Sequence, residues 1–190
     1  MTETELRRLY GWAKIDPDGP VVAGEIGAWR ITCHAGRYSV DDGGAIKCLA
    51  RCQRLTSTAV YRSAGAGLCY RLDHGACGTA TNLWKQRYVR PWRLCVTIDV
   101  LDDSLAEGDT VTLTLGDRSE GSRGIRAQTF CQESFEFRVA VDWCGTWVYE
   151  RVPSPQVPIT NGTAHKLVVV APSETIAGEE TWVGVKAEDA

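Results

Sequence analysis

The chain has 190 residues, with 24 Asp+Glu against 21 Lys+Arg for a formal net charge of −3 and a pI near 5.7, so no extended basic face is implied; nucleic acid and anionic membrane surfaces are not expected partners. Its 44% hydrophobic and 24% charged residues sit at the globular average and exclude disorder and collagen-like repeats. No stretch approaches the roughly 18 apolar residues that span a bilayer, and the opening MTETELRRLYGW lacks the apolar core of a signal peptide; the expected location is the cytoplasm. Eight Cys accompany three His, and seven Trp accompany three Phe. Cytosolic thiols stay reduced, so disulfides are the weaker reading of the cysteines.

In chain order, residues 3–10 are the one plausible helical turn, with Glu3, Thr4 and Glu5 ahead of Leu6, Leu9 and Tyr10. Everything after it reads as β. Residues 29–34 (WRITCH) alternate apolar and polar, as a strand with one buried face must. Residues 94–100 (LCVTIDV) and 110–115 (TVTLTL) alternate more cleanly, and the Asp, Ser and Gly between them predict a hairpin or a sheet-to-sheet corner. Residues 135–142 (FEFRVAVD) and 146–149 (TWVY) repeat the pattern across a Trp-Cys-Gly turn. Short strands at such spacing predict an all-β fold, a β-sandwich of Ig-like or jelly-roll-like type, over residues 1–152. Three prolines, Pro153, Pro155 and Pro158, each lacking a backbone N–H, mark residues 153–163 as a linker. Strands from Lys166 to Val170 and from Thr181 to Ala187 then predict, over residues 164–190, the first hairpin of a truncated second β-domain. Residues 49–86 carry no sustained period and read as an irregular insertion.

An ordered series of motifs resembles a bacterial family of unknown function: Ser39 through Asp41, Asp42, Gly43 and Gly44 to Lys47; Val89-Arg90-Pro91-Trp92; Gly108-Asp109-Thr110 through Asp117-Arg118 to Gly124 and Phe130; Phe135 to Val139; and Leu167 to Ser173. The resemblance implies the N-terminal β-rich region of a longer protein that continues into a metal-dependent hydrolase-like domain of the polymerase-and-histidinol-phosphatase type. The missing C-terminal domains of that parent are the implied partners. Where the family tends to read Ala-Ser-Asp, Pro-Gln, Asp-Pro and Ala-Pro, this chain departs. Back-translated with suitable synonymous codons and read one nucleotide later, residues 51–78 recover that text, so residues 48–87 are expected to be translated out of frame.

Several constellations invite chemistry. Cys48-x3-Cys52 with Cys69-x4-His74-x2-Cys77 offers thiolate and imidazole ligands for Zn²⁺, although the spacing matches no familiar knuckle and incidental thiols are the plainer reading; no cofactor is expected. Asp99, Asp102, Asp103, Glu107 and Asp109 suggest either calcium or a solvated turn capped by Asp, the latter being routine. The glycine-rich stretch 116–126 carries Arg118, Arg123 and Arg126, which could fork onto a carboxylate or phosphate; it is neither a P-loop nor a dinucleotide fingerprint, and a structural loop is its alternative role. Among the tryptophans, Trp29 and Trp147 read as core fillers and Trp143, near a turn, as the exposed candidate for stacking on a sugar. Cys33 and His34 face opposite sides of a strand and cannot act as a nucleophilic pair. No nucleophile with its base is visible, so no catalytic residue is assigned and the chain is not expected to be an enzyme. The expected function is a non-catalytic accessory module of a larger hydrolase-like protein; the alternatives are a stand-alone carbohydrate or small-ligand binding module and a structural zinc protein. Open strand edges also predict self-association.

Overall fold

The computed structural model describes residues 1–50, 70–74, 78–82, 92, 94–119, 121 and 123–189. It is mainly β, with 47% strand, one short helix and several sheets, one of them curled into a half-barrel. Helix α1 spans Glu3–Leu9 and starts on a capping box: the Glu5 N–H donates to Thr2 Oγ1 at 3.3 Å while the Thr2 N–H donates to Glu5 Oε2 at 2.7 Å. The strands that follow are β1 (Gly11–Asp16), β2 (Val21–Val22), β3 (Ile26–Gly27), β4 (Trp29–Ala35), β5 (Ala45–Ala50), β6 (Tyr70–His74), β7 (Gly78–Asn82) and β8 (Leu94–Leu101). After them come β9 (Thr110–Leu115), β10 (Ile125–Arg126), β11 (Gln132–Asp142), β12 (Glu150–Arg151), β13 (Gln156–Thr160), β14 (Lys166–Val170) and β15 (Gly184–Glu188).

One sheet has the antiparallel order β1-β4-β9-β6. Its alternation does what the sequence pattern predicts: Trp29, Ile31 and Cys33 of β4 and Val111, Leu113 and Leu115 of β9 are buried, and register pairs Ile31 with Leu113 and Cys33 with Val111. The larger sheet runs β2-β13-β11-β5-β8-β7, with β12 also paired to β11. Its central strand β5 is buried at every position, so its two faces fill two clusters. Ile46, Cys48 and Ala50 join the main core, to which Ile31, Leu113, Val96, Ile98 and Val139 from both sheets contribute. Leu49 packs on the other face with Cys95 and Trp92, where the Arg138 guanidinium lies 4.3 Å from the Trp92 ring centre. Residues 102–109 carry the chain from β8 in the larger sheet to β9 in the smaller one; the predicted connection is therefore a corner, not a hairpin. Among the described residues, no helix is long and apolar enough to cross a membrane.

Three local expectations change. The proline-marked stretch 153–163 contains β13, with Val157 and Ile159 buried. The β13–β11 register shifts between Gln132 and Phe135, so Pro158 sits at an irregularity in the ladder, where a missing N–H costs little. Residues 146–149, read as a strand, are a bend followed by irregular chain, and pairing begins only at Glu150. Within the aperiodic stretch 49–86, β6 pairs with β9 and β7 with β8; edge strands held by main-chain bonds need no apolar alternation. The rest of the expected out-of-frame stretch, residues 51–69, 75–77 and 83–87, lies outside the described residues.

The β14–β15 ribbon pairs Leu167 with Ala187 and Val169 with Val185. Side chains directly opposite in an antiparallel pair share a face, so these four form one apolar face. Lys166, Lys186 and Glu188, joined by ion pairs of 2.9 and 3.0 Å, share the other with Val168 and Val170. Leu167, Val169 and Val185 are 63–70% exposed.

Candidate functional site

The glycine-rich stretch after β9 packs against the β3 backbone. Gly116 and Gly124 have φ of +75° and +99°, and a Cβ on either would stand 2.5 or 2.6 Å from the Gly27 carbonyl oxygen; only glycine fits there. Arg118 donates from Nη2 to the Ile26 carbonyl at 2.7 Å, and Arg126 from Nε to the Gly24 carbonyl at 3.1 Å. Both arginines thus fasten the loop to residues 24–26, and Arg123 is exposed. Beside them is an apolar cavity of about 40 Å³ lined by Val21, Trp29, Leu115, Ile125 and Phe135, with Arg126 and Gln128 at its edge. At roughly 10–15 Å³ per water, it has room for a few waters, well short of a sugar ring.

A second feature is an aromatic turn. Asp142, the last residue of β11, is 1% exposed and accepts from the backbone N–H of Thr146 at 3.0 Å, the Thr146 hydroxyl at 3.1 Å and the Trp147 N–H at 2.6 Å. A buried carboxylate satisfied by short backbone bonds organises a turn. Gly145, at φ +69°, approaches Gly43 so closely that a Cβ would meet its carbonyl oxygen at 2.9 Å. The Asp41 N–H donates to the Trp143 carbonyl at 2.9 Å, so the turns at 41–44 and 142–147 brace each other. Trp147 is held at φ +64°, a conformation costly for an aromatic residue and one that the surrounding bonds enforce.

Trp147 is 64% exposed, which corrects its reading as a core filler: the turn at 142–147 replaces the strand whose alternation would have buried it. Trp29 is buried as expected. Trp143 is 39% exposed, and its ring lies 5.6 Å from that of Tyr38, which in turn makes an edge contact with Tyr10 at 5.3 Å. Nearby, Lys47 Nζ sits 3.4 Å from the ring centre of Tyr149. Sequence reasoning missed Tyr38 beside Trp143 and the buried Asp142 that holds the Trp147 backbone. The available signal was Asp-Trp-Cys-Gly-Thr, an Asp ahead of a Gly and a Thr within five residues, which is turn chemistry rather than strand chemistry.

Of the expected zinc ligands, Cys48 is buried in the main core and His74 ends β6 opposite Val111; Cys52, Cys69 and Cys77 lie outside the described residues. Among the described residues, no group of three or more His, Cys, Asp or Glu is placed to hold a metal ion. The acidic stretch 99–109 behaves as a capped turn: Asp103 Oδ1 accepts from the Ser104 N–H and Asp109 Oδ2 from the Ala106 N–H, both at 2.8 Å.

Cys33 and His34 part as expected, Cys33 into the core and His34 onto the outer face. There the imidazole stacks on Trp12 at 4.0 Å, and the Arg7 guanidinium covers Trp12 at 3.9 Å. Burial first, then the charges of Lys14 and Arg7, push the His34 pKa below its ordinary value, and its Nε2 is buried without a hydrogen-bond partner. These features define a mainly β protein with a hydrogen-bonded aromatic turn and an exposed apolar ribbon face. No family model and no curated protein matches the chain.

Proposed function

We propose that the chain is a non-catalytic accessory module of β-sandwich type within a larger hydrolase-like protein, and that β14–β15 is the first hairpin of a second β-domain. The observation that carries this reading is the amphipathic ribbon. On one face Lys166, Lys186 and Glu188 pair with one another beside Val168 and Val170, whereas Leu167, Val169 and Val185 stand exposed on the all-apolar face opposite. Covering such side chains is worth about 1.5–3 kcal/mol each, so the face favours further strands packing on it. The motif resemblance supports the nature of the parent, and a core shared by both sheets supports the sandwich type. Assay of the purified protein with Mg²⁺, Mn²⁺ or Zn²⁺ and generic phosphoesters tests the non-catalytic role: no turnover is expected, and metal-dependent turnover overturns it. The coding DNA tests the frame reading, which fails if the codons of residues 51–78 do not give the family's text one nucleotide later.

The aromatic turn supports a second reading, a stand-alone module that stacks a carbohydrate ring on Trp147 or Trp143. Trp147, whose backbone N–H a buried carboxylate holds, and Trp143 each expose an indole face that a sugar ring could stack on. Titration with oligosaccharides should then quench Trp emission, and an unchanged spectrum with every polysaccharide tried removes this reading.

A further inference from the structure

The cavity beside the glycine-rich stretch is walled by Trp29 and Leu115 from the smaller sheet, by Phe135 and Val157 from the larger one, and by Ile125 from the β3–β10 pair, which belongs to neither. Its volume is about 40 Å³. At roughly 10–15 Å³ per water-sized position, and about 30 Å³ of liquid per water, that space takes a group of about three or four carbon atoms. A water held there needs about two to four polar partners. The walls supply none of that kind, and the Gln128 amide nitrogen at the edge is already spent on the Phe130 carbonyl at 3.0 Å and Gln132 Oε1 at 3.1 Å. An alkyl group therefore suits the cavity better than water does.

The edge, by contrast, is cationic. Arg126 is exposed and donates from Nε to the Gly24 carbonyl; beyond that bond its guanidinium makes no further hydrogen bond or ion pair among the described residues. The carboxylate of the facing segment, Glu25, is engaged elsewhere, accepting from the Val22 N–H at 3.2 Å. A guanidinium with donors to spare beside an apolar cavity is complementary to a short alkyl body with a carboxylate head. We propose that this cavity is a binding site for a short branched-chain carboxylate, with the branched end between the sheets and the carboxylate on Arg126.

The test is titration of the full chain, labelled at its methyl groups, with isovalerate under NMR observation. Binding with a dissociation constant on the order of 1 mM is expected for so few atoms, with the methyl shifts concentrated at Val21, Leu115, Ile125 and Val157. Isoamyl alcohol, which has the same alkyl body and no charge, should bind about five- to tenfold more weakly, as should isovalerate to Arg126→Gln. Val157→Ile, which adds a carbon to the wall, should weaken isovalerate by a similar factor while the remaining methyl shifts stay in place. Methyl shifts absent up to about 20 mM ligand, shifts confined to residues away from the cavity, or unchanged binding by Val157→Ile would overturn the site. Equal binding of acid and alcohol, or full affinity in Arg126→Gln, would overturn the carboxylate class.

Discussion

The backbone N–H of Trp147 donates to Oδ2 of Asp142 at 2.6 Å, so a buried carboxylate five residues upstream holds an exposed indole in a left-handed conformation. The bond closes the turn that follows β11, in the larger sheet, and the same turn carries Trp143, whose ring meets Tyr38. The conformation of that turn therefore depends on one buried side chain.

Asp142→Ala should destabilise the protein by about 2–4 kcal/mol, because it removes the one buried acceptor shared by the Thr146 N–H, the Thr146 hydroxyl and the Trp147 N–H. Asp142→Asn, which keeps one acceptor oxygen, should cost less. Urea denaturation followed by near-UV circular dichroism checks both, and equal stability of Asp142→Ala and wild type would refute the turn's dependence on this carboxylate.

Core and ribbon should respond differently to the same truncation. Leu113 is fully buried between the sheets whereas Leu167 is 70% exposed. Leu113→Ala should cost about 3–4 kcal/mol, and Leu167→Ala should stay within about 0.5 kcal/mol. Denaturant midpoints of the two variants provide the comparison.

The pH dependence should carry the mark of His34. Its folded-state pKa is lowered by burial and by Lys14 and Arg7, so the unfolded chain binds the proton more readily. Stability is fully present above the ordinary histidine pKa, about 6.5, and declines as pH falls from there toward the folded value. His34→Phe, which retains a ring against Trp12, should flatten the stability profile between pH 7 and pH 5. An unchanged slope would show that other groups set it.

The legible part of the fold was the part governed by a single buried face. β4 and β9 could be read from WRITCH and TVTLTL because each buries alternate residues in one core. β13 could not, since Pro158 breaks the usual strand signal and is tolerated only through a register shift set by β11. Trp147 was misread because TWVY alternates like a strand, yet Asp142 and Gly145 had already committed that stretch to a turn. Arg118 and Arg126 were visible as candidates, but their engagement with the Ile26 and Gly24 carbonyls depends on a distant strand pair, β10 with β3.

The open ribbon should make the isolated chain associate. Sedimentation across a concentration series should show reversible self-association, and Leu167→Lys/Val169→Lys should reduce it with no change in melting temperature. Equal association in wild type and variant would instead assign the contact to strand edges.

Amide hydrogen exchange on β14 and β15, measured in this chain and in the longer parent that the accessory-module proposal requires, tests that proposal most directly. Covered strands should exchange far more slowly in the longer protein, with the largest gain at Leu167–Val170 and Val185–Ala187. Identical exchange in both would contradict the proposal that the ribbon is the opening hairpin of a second β-domain.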